Sequence, residues 1–215
     1  MHSKRPAVFL DRDGVLTIEK KTILHPSQVE LCEGAADCVR RLKDAGYIVI
    51  VITNQSGVAR GLFSEDELIP LHERLKAETG VDAIYYCPHH PEGSVPEYSF
   101  VCDCRKPKTG MIERACKEYD LDLKSSWIIG DRESDILTGR AAGLKTVLVR
   151  CGYGEDELAR GVSADVEEGQ TNNHLDWGCG RFDIKEEFLT NWDTNGILNS
   201  IKSKIKIGRT CCIYG

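Results

Sequence analysis

The 215-residue sequence predicts an α/β fold, in which an open, doubly wound parallel sheet of the Rossmann-like type carries helices on both faces. Two observations lead to this prediction. Short apolar runs alternate with amphipathic stretches over the first 160 residues, and the apolar runs are rich in Val and Ile. The length suits one substantial core with an appendage, so we expect a domain over residues 1–160 and a C-terminal extension over residues 161–215.

Five apolar runs have the length and composition of buried strands. They are nearly continuous rather than alternating, which is typical of parallel strands covered on both faces. In chain order the runs are AVFLD (7–11), YIVIVIT (47–53), AIYYC (83–87), SWIIGD (126–131) and KTVLVR (145–150).

Amphipathic stretches connect these strands, and their ends carry helix signals. Gly46 is placed to end the first helix as a C-cap. Ser64 and Glu67 have the spacing of a capping box at the start of the second helix, inside which Pro70 must be tolerated. The predicted helices are EGAADCVRRLKDAG (33–46), SEDELIPLHERLKAETG (64–80), TGMIERACKEYD (109–120) and ESDILTGRAAG (133–143).

Composition limits the classes of function. A formal net charge of −6 argues against general nucleic-acid binding. The chain is 41% hydrophobic and 29% charged, as expected of a folded soluble protein, and has no apolar run long enough to span a bilayer. The start MHSKRPAVFL is too short in apolar residues for a signal peptide. We therefore expect a cytoplasmic monomer with no membrane or nucleic-acid partner.

Polar side chains cluster at the carboxyl ends of the predicted strands, where doubly wound sheets bind their ligands. Each is weak evidence alone, because an Asp after a strand is more often a turn former or a helix cap. Their convergence on one sheet edge predicts a site of acids, hydroxyl and amide donors, and cations. The members are Asp11, Asp13, Thr53, Asn54, Gln55, Ser56, Arg105, Lys106, Asp131 and Arg132.

The acids of this edge favour a hard cation. Asp11 and Asp13 project the same way from an extended segment, and Asp131 adds a third oxygen ligand, which together predict Mg²⁺. Mg²⁺ beside Lys106 suits a phosphoryl group. Asp11 can attack phosphorus to form an aspartyl-phosphate. Asp13 can protonate the leaving alcohol and afterwards activate water.

A second metal is predicted for the segment CPHHPEGSVPEYSFVCDC (87–104). Cys87, Cys102, Cys104 and one histidine, His89 or His90, give four soft ligands, which suits tetrahedral Zn²⁺. Four protein ligands leave no open position, so we interpret the zinc as structural, holding together a loop rich in proline. The alternative is a surface loop whose reduced cysteines bind nothing.

Four motifs carry a family resemblance. DRDGV, TNQSG, RKPK and GDRESD, in this order after these strands, resemble those of the haloacid dehalogenase superfamily of Mg²⁺-dependent phosphohydrolases. Together with TNQSGVARG, the segment CPHHPEG…CDCRKPKTGM resembles the D-glycero-D-manno-heptose-1,7-bisphosphate 7-phosphatases and the related histidinol-phosphate phosphatases. The resemblance covers residues 6 to 155.

The resemblance implies a role for each matching position. Asp11 is expected to be the nucleophile, Asp13 the general acid/base, and Asp135 a structural acid. Thr53 and Lys106 are expected to contact phosphate, and Arg105 to recognise substrate. For the metals, the resemblance implies Mg²⁺ on Asp11, the Asp13 backbone carbonyl and Asp131, and Zn²⁺ on Cys87, His89, Cys102 and Cys104.

The room around the site and the charges near it indicate the substrate. The intervals after the first and third strands leave no room for a large cap domain, so we expect an open site. A sugar bisphosphate carries a second dianion, which extra cations serve well, whereas histidinol phosphate carries an amine and favours acids. The candidate cations are Lys20, Lys21, Arg60, Arg105, Lys108 and Arg132, with Glu19 the nearest acid.

The cations favour the small phosphorylated sugar heptose 1,7-bisphosphate over histidinol phosphate. Two further alternatives are a polynucleotide 3′-phosphatase, which an open site could serve, and a non-catalytic phosphosugar-binding protein. The latter predicts loss of Asp11 or Asp13, and both are present.

The extension, residues 161–215, departs from the family. HLDWGCG (174–180) is similar to the glycine-rich turn of nucleotide-dependent methyltransferases and suggests a bifunctional enzyme, but too few residues follow for that fold. ILNSIKSKIKIGRTCCIYG (197–215) fits a packed helix or strand, or a tail, and its role is not assigned.

Overall fold

The computed structural model describes residues 4–20, 25–167, 174–177 and 180–183. Strands and helices alternate along most of the chain. The strands are β1 (Ala7–Leu10), β2 (Ile48–Asn54), β3 (Ala83–Cys87), β4 (Trp127–Gly130), β5 (Lys145–Leu148), β6 (Val166–Glu167), β7 (His174–Trp177) and β8 (Gly180–Asp183). The α-helices are α1 (Ala35–Asp44), α2 (Glu65–Thr79), α3 (Gly110–Glu118), α4 (Glu133–Ala142) and α5 (Gly154–Ala159).

A parallel sheet with the strand order β3-β2-β1-β4-β5-β6 forms the centre of the protein. β1 pairs in parallel with β2 and with β4, so the ends of these three strands lie at one edge. All four residues of β1 are fully buried. Val8 and Leu10 pack towards α1, whereas Phe9 packs towards α3, because successive side chains of a strand point to opposite faces. The predicted doubly wound architecture is therefore confirmed.

The five predicted strands and four predicted helices are all present, with small differences at their ends. The sequence analysis did not predict β6, β7, β8 or α5; β6 and α5, with two and six residues, are too short to establish a periodicity. No large cap domain occurs among the described residues: between β1 and α1 they form only isolated bridges and a short 3₁₀ helix, Pro26–Gln28. Within the same ranges, no helix combines the length and apolarity needed to cross a bilayer.

Part of the C-terminal extension is described. β6 pairs with β5 and continues the parallel sheet beyond residue 160. The proposed boundary between domain and extension stays a prediction. β7, which begins the segment HLDWGCG, pairs with β8 in antiparallel fashion. The segment 197–215 lies outside the described residues.

Two helix-end predictions are confirmed. The Ser64 hydroxyl accepts the Glu67 amide at 3.3 Å, and the Glu67 carboxylate accepts the Ser64 amide at 2.8 Å, so α2 starts with a capping box and contains Pro70. Gly46 follows α1 with a φ of +88°, a left-handed conformation that glycine adopts without strain.

Ser126 links the two central strands at their amino ends. Its buried hydroxyl accepts the backbone amide of Ala7 at 2.8 Å and donates to the carbonyl of Asp122 at 2.6 Å. The first amide of β1 is thereby paired away from water. The sequence carried no signal for this link.

We expect Ser126→Ala to lower the free energy of unfolding by about 1–3 kcal/mol, because the buried Ala7 amide loses its acceptor. Urea denaturation measures the change. The matched control is Ser125→Ala, since Ser125 is exposed and its hydroxyl bonds only the Asp122 carboxylate among the contacts described; it should change stability by no more than about 0.5 kcal/mol. Equal effects of the two variants would contradict this account.

Candidate active site

Three buried acids meet at the carboxyl edge of the sheet. Asp11 follows β1, Asp131 follows β4, and Asp135 lies in the first turn of α4; one carboxylate oxygen of each lies within 4.8 Å of the others. Asp131 Oδ2 accepts the Tyr153 amide at 2.9 Å. Asp131 Oδ1 is buried without a hydrogen-bond partner among the described residues. An orphaned carboxylate oxygen facing two further acids fits a hard cation such as Mg²⁺.

Two glycines make room for Asp131. Gly14 and Gly152 both have positive φ, +82° and +60°. A Cβ atom at either position would lie 2.3 Å or 2.0 Å from Asp131 Oδ2, so any side chain there would displace the carboxylate. Gly14 belongs to the motif DRDGV, whereas Gly152 lies outside all four motifs and was missed by the sequence analysis.

Electrostatics supports a cation at this edge. Burial, together with the charges of Asp11 and Asp135, raises the pKa of Asp131 to about 8. Burial also raises the pKa of Asp11 to about 6, against the opposing effect of Lys106. A bound cation would favour the ionised form of both carboxylates.

Lys106 supplies a fixed positive charge beside the acids. Its buried ammonium lies 2.9 Å from Asp11 Oδ1 and 2.6 Å from Asp135 Oδ1, and donates to the carbonyl of Ile52 at 2.9 Å. Burial alone would lower the pKa of Lys106, but Asp11 and Asp135 outweigh it and raise the pKa. Lys106 is therefore charged, and the structural role of Asp135 stays a prediction.

Asn54 holds the backbone of Lys106. Its Oδ1 accepts the Lys106 amide at 3.1 Å, and its Nδ2 donates to the Lys106 carbonyl at 3.2 Å. Asn54 was predicted to bind substrate, and its two contacts with Lys106 give it a positioning role. A contact between Asn54 and substrate stays a prediction, as it does for the partly buried Ser56.

Asp13 is surrounded by donors. Its Oδ1 accepts Arg12 Nε and the Thr17 hydroxyl, both at 3.0 Å, and its Oδ2 accepts Arg12 Nη2 at 2.8 Å and Gln55 Nε2 at 2.9 Å. Gln55 Nε2 also donates to Thr53 Oγ1 at 2.8 Å. Burial raises the pKa of Asp13, but Arg12 and the other donors outweigh it and lower the pKa. The carboxylate of Asp13 is thus committed to this network and not to the acid cluster.

The cysteine segment forms a second cluster. The sulfurs of Cys87 and Cys104 each lie 3.4 Å from that of Cys102, and His89 Nδ1 lies 3.3 Å from Cys104 Sγ and 3.7 Å from Cys87 Sγ. A tetrahedral zinc ion with Zn–S bonds of about 2.3 Å separates its sulfur ligands by about 3.8 Å. The cluster therefore has nearly the size of a Cys₃His zinc site.

The structure distinguishes the two candidate histidines. His89 points its Nδ1 into the cluster, whereas His90 Nδ1 accepts the amide of Glu92 at 3.1 Å. Hydrogen bonding from Cys87, with weaker effects from Cys102 and His89, lowers the pKa of Cys104 to about 5. One thiolate is therefore available to a metal at neutral pH.

The cluster is tied to the acid edge by short backbone contacts. The Cys87 carbonyl accepts the Gln55 amide at 2.8 Å, and the His89 carbonyl accepts Arg105 Nη1 at 3.2 Å. Arg105 directly follows Cys104 and precedes Lys106. Arg132 follows β4, and its guanidinium lies 3.7 Å from the ring centre of Tyr153.

Most of the predicted residues converge, and some important residues were missed. Asp11, Lys106 and Asp131 form one group, and Asp13, Thr53 and Gln55 form a second beside it. Arg12 lies within the motif DRDGV, but no role was predicted for it. Thr17, His72 and Tyr153 had no signal in the sequence, because their roles depend on contacts made by folding.

Comparison with known proteins agrees with this geometry. A family model described as HAD-hydrolase-like matches residues 103–171. The D-glycero-beta-D-manno-heptose-1,7-bisphosphate 7-phosphatase of Pasteurella multocida (strain Pm70) is 46% identical over 69% of this chain and 83% of its own length. The protein of the same name from Escherichia coli (strain K12) is 42% identical over 68% of this chain and 80% of its own length.

Solved structures give the same result. The D,D-heptose 1,7-bisphosphate phosphatase from B. bronchiseptica, complexed with magnesium and phosphate, superimposes with a TM-score of 0.65. It is 35% identical, and the match covers 75% of this chain and 91% of that protein. On the combined evidence of fold, clustered acids and sequence identity, the chain belongs to the D-glycero-D-manno-heptose-1,7-bisphosphate 7-phosphatase family of haloacid dehalogenase-like hydrolases.

Proposed function

We propose that this protein is a Mg²⁺-dependent phosphohydrolase that removes the 7-phosphate of D-glycero-D-manno-heptose 1,7-bisphosphate through an aspartyl-phosphate. The observation that carries the reaction type is the buried ammonium of Lys106 at 2.9 Å from Asp11 Oδ1, beside the orphaned oxygen of Asp131. The names of the relatives support the substrate over the alternatives.

The residues suit a reaction in two halves. In the first, a carboxylate oxygen of Asp11 attacks phosphorus, and the bond from phosphorus to the sugar oxygen breaks with its electron pair on that oxygen. Asp13 gives the leaving oxygen a proton. In the second, water attacks phosphorus, Asp13 takes its proton, and the bond to Asp11 breaks to return the carboxylate.

The positive groups stabilise the phosphoryl charge. Lys106 and the Thr53 hydroxyl are our candidates for phosphate contacts, with Gln55 and Ser56 beside them. Mg²⁺ held by Asp11, the Asp13 backbone carbonyl and Asp131 would offset the charge of the phosphoryl oxygens. The fit of Mg²⁺ rests on the Asp131 oxygen that has no partner among the described residues, and on the magnesium complex of the B. bronchiseptica relative.

The cations predicted to surround the active site support a bisphosphate as the substrate. Of the candidate cations, Lys20 pairs with Glu30 and Lys108 pairs with Asp103, so neither is available without breaking an ion pair. Arg60, Arg105 and Arg132 remain as candidates for the distal phosphate. Burial and the nearby charges of Arg105 and Arg60 lower the pKa of His90, which is consistent with a cationic rim. Lys21 lies outside the described residues.

We also propose that Zn²⁺ occupies the Cys₃His cluster as a structural ion. All four ligands come from the protein, so no position remains for substrate or water. A cytoplasmic monomer without nucleic-acid or membrane partners remains our expectation for the cellular context.

The nucleophile is tested by Asp11→Asn. We expect this variant to release phosphate from heptose 1,7-bisphosphate at least about 1,000-fold more slowly than the wild type, because an amide cannot form the phosphoenzyme. A phosphate-release assay with Mg²⁺ measures the rate, and circular dichroism checks the fold. Asp44→Asn, on the exposed end of α1, is the control and should retain wild-type activity.

The substrate is tested on the same protein with a panel of phosphate esters. The proposal predicts the highest kcat/KM on heptose 1,7-bisphosphate, above histidinol phosphate and a 3′-phosphorylated DNA oligonucleotide. Preference for histidinol phosphate or for DNA would overturn the substrate assignment and leave the reaction type intact.

Zinc is tested by Cys102→Ser. We expect about one zinc ion per wild-type chain and much less in the variant, because serine is a poor zinc ligand. A 100-fold weaker zinc affinity costs about 2.7 kcal/mol of stability, and activity should fall as well, because the loop leads into Arg105 and Lys106. Metal analysis and thermal unfolding measure both. Cys116→Ser, which changes an exposed cysteine on α3, is the control. An active wild-type protein that contains no zinc would contradict the proposed zinc site.

A further inference from the structure

His72 lies on α2 and points towards the acid edge. Its side chain is nearly buried, with 5% of the residue exposed, and its Nε2 lies 3.1 Å from Arg12 Nη1. The ring also packs against Tyr86, with ring centres 5.1 Å apart. His72 belongs to none of the four motifs, and nothing in the reaction described above uses it.

The contact fixes the chemical state of His72. A guanidinium group donates hydrogen bonds and accepts none, so His72 Nε2 must be the acceptor. The imidazole is therefore neutral, with its proton on Nδ1. In agreement, burial and the charge of Arg12 lower the pKa of His72 to about 3.

Arg12 connects His72 to Asp13 by hydrogen bonds. The guanidinium, in a residue that is only 2% exposed, donates through Nε and Nη2 to the two carboxylate oxygens of Asp13, and Nη2 also donates to Gln55 Oε1 at 2.9 Å. Such a two-point contact sets the plane of the carboxylate by the plane of the guanidinium. His72 is the acceptor that faces the remaining nitrogen, Nη1.

The network holds Asp13 in the form of a base. Each carboxylate oxygen of Asp13 accepts two hydrogen bonds: Oδ1 from Arg12 and Thr17, and Oδ2 from Arg12 and Gln55. Once Asp13 has given its proton to the leaving oxygen, these bonds favour its ionised form, and the carboxylate can take the proton of the water that attacks the aspartyl-phosphate. Without an acceptor at position 72, Arg12 Nη1 would be buried with no hydrogen-bond partner among the described residues. A guanidinium that turned away from Asp13 to hydrate this nitrogen would then be favoured.

We propose that His72 is a positioning residue: through Arg12 it orients the Asp13 carboxylate for the hydrolysis of the aspartyl-phosphate. The inference rests on the proposed phosphohydrolase function, but not on the identity of the sugar. In the step concerned, the water oxygen bonds to phosphorus, the water proton passes to Asp13, and the electron pair of the breaking bond returns to Asp11.

The test uses p-nitrophenyl phosphate, whose leaving group departs without a proton donor. For this ester, kcat/KM reports the formation of the phosphoenzyme, whereas kcat includes its hydrolysis. Loss of His72 should therefore lower kcat and leave kcat/KM nearly unchanged. It should also produce a burst of about one p-nitrophenol per active site, because the phosphoenzyme accumulates.

His72→Leu removes the acceptor, and His72→Gln keeps a neutral oxygen acceptor at a similar reach. His72 borders a cavity of about 250 Å³, so either side chain has room to adjust. We expect kcat to fall about 10- to 100-fold in His72→Leu, with kcat/KM within about threefold of wild type. His72→Gln should recover most of the lost kcat. Glu73→Gln, the exposed neighbour that borders the same cavity, should match the wild type.

Three results would overturn the proposal. Parallel losses of kcat and kcat/KM without a burst in a folded His72→Leu would mean a purely structural role. Full activity of His72→Leu would mean that His72 has no role in the reaction. If His72→Gln were as impaired as His72→Leu, the hydrogen bond accepted at position 72 would not be the reason for the effect. If the wild type hydrolyses p-nitrophenyl phosphate but not heptose 1,7-bisphosphate, the substrate assignment fails and the His72 test still stands.

Discussion

The ammonium group of Lys106, buried between Asp11 and Asp135, is the interaction on which the site depends. It joins the end of β1, the Ile52 carbonyl of β2 and the first turn of α4. Removing one partner of a buried ion pair is costly, because it leaves an uncompensated charge. The chain must therefore deliver Lys106 accurately, and it does so from the cysteine loop, with Cys104 two residues before it and Asn54 holding its backbone. A metal ion bound in that loop would affect the reaction by fixing the position of Lys106.

Charge balance explains why this edge calls for a divalent cation. Asp11, Asp131 and Asp135, when ionised, carry a charge of −3, and Lys106 contributes +1, which leaves −2 in a buried site. A divalent cation brings the sum to zero. Without one, burial and mutual repulsion raise the pKa of Asp131 to about 8, so the protein reduces the charge by holding a proton. The Asp13 network stands apart, because Arg12 already neutralises it.

The sequence predicts the parts of the fold that repeat a simple physical pattern. Continuous apolar runs rich in Val and Ile identified strands β1 to β5, and the carboxyl ends of parallel strands then placed Asp11 and Asp131 at one edge. The spacing of Cys87, Cys102 and Cys104 identified the metal loop. Residues that act by contact across the fold gave no such signal: Ser126 and His72 are ordinary in sequence, and their partners lie 119 and 60 residues away.

The charge balance is tested most directly by counting the protons released when Mg²⁺ binds. Titration calorimetry in buffers of different ionisation enthalpy gives this number. With the pKa of Asp131 at about 8 and that of Asp11 at about 6, binding at pH 7 should release close to one proton, and at pH 9.5 almost none. Binding of Mg²⁺ at pH 7 without proton release would contradict the account. It would mean that the three acids are already ionised in the metal-free protein and that the buried site is stable with a charge of −2.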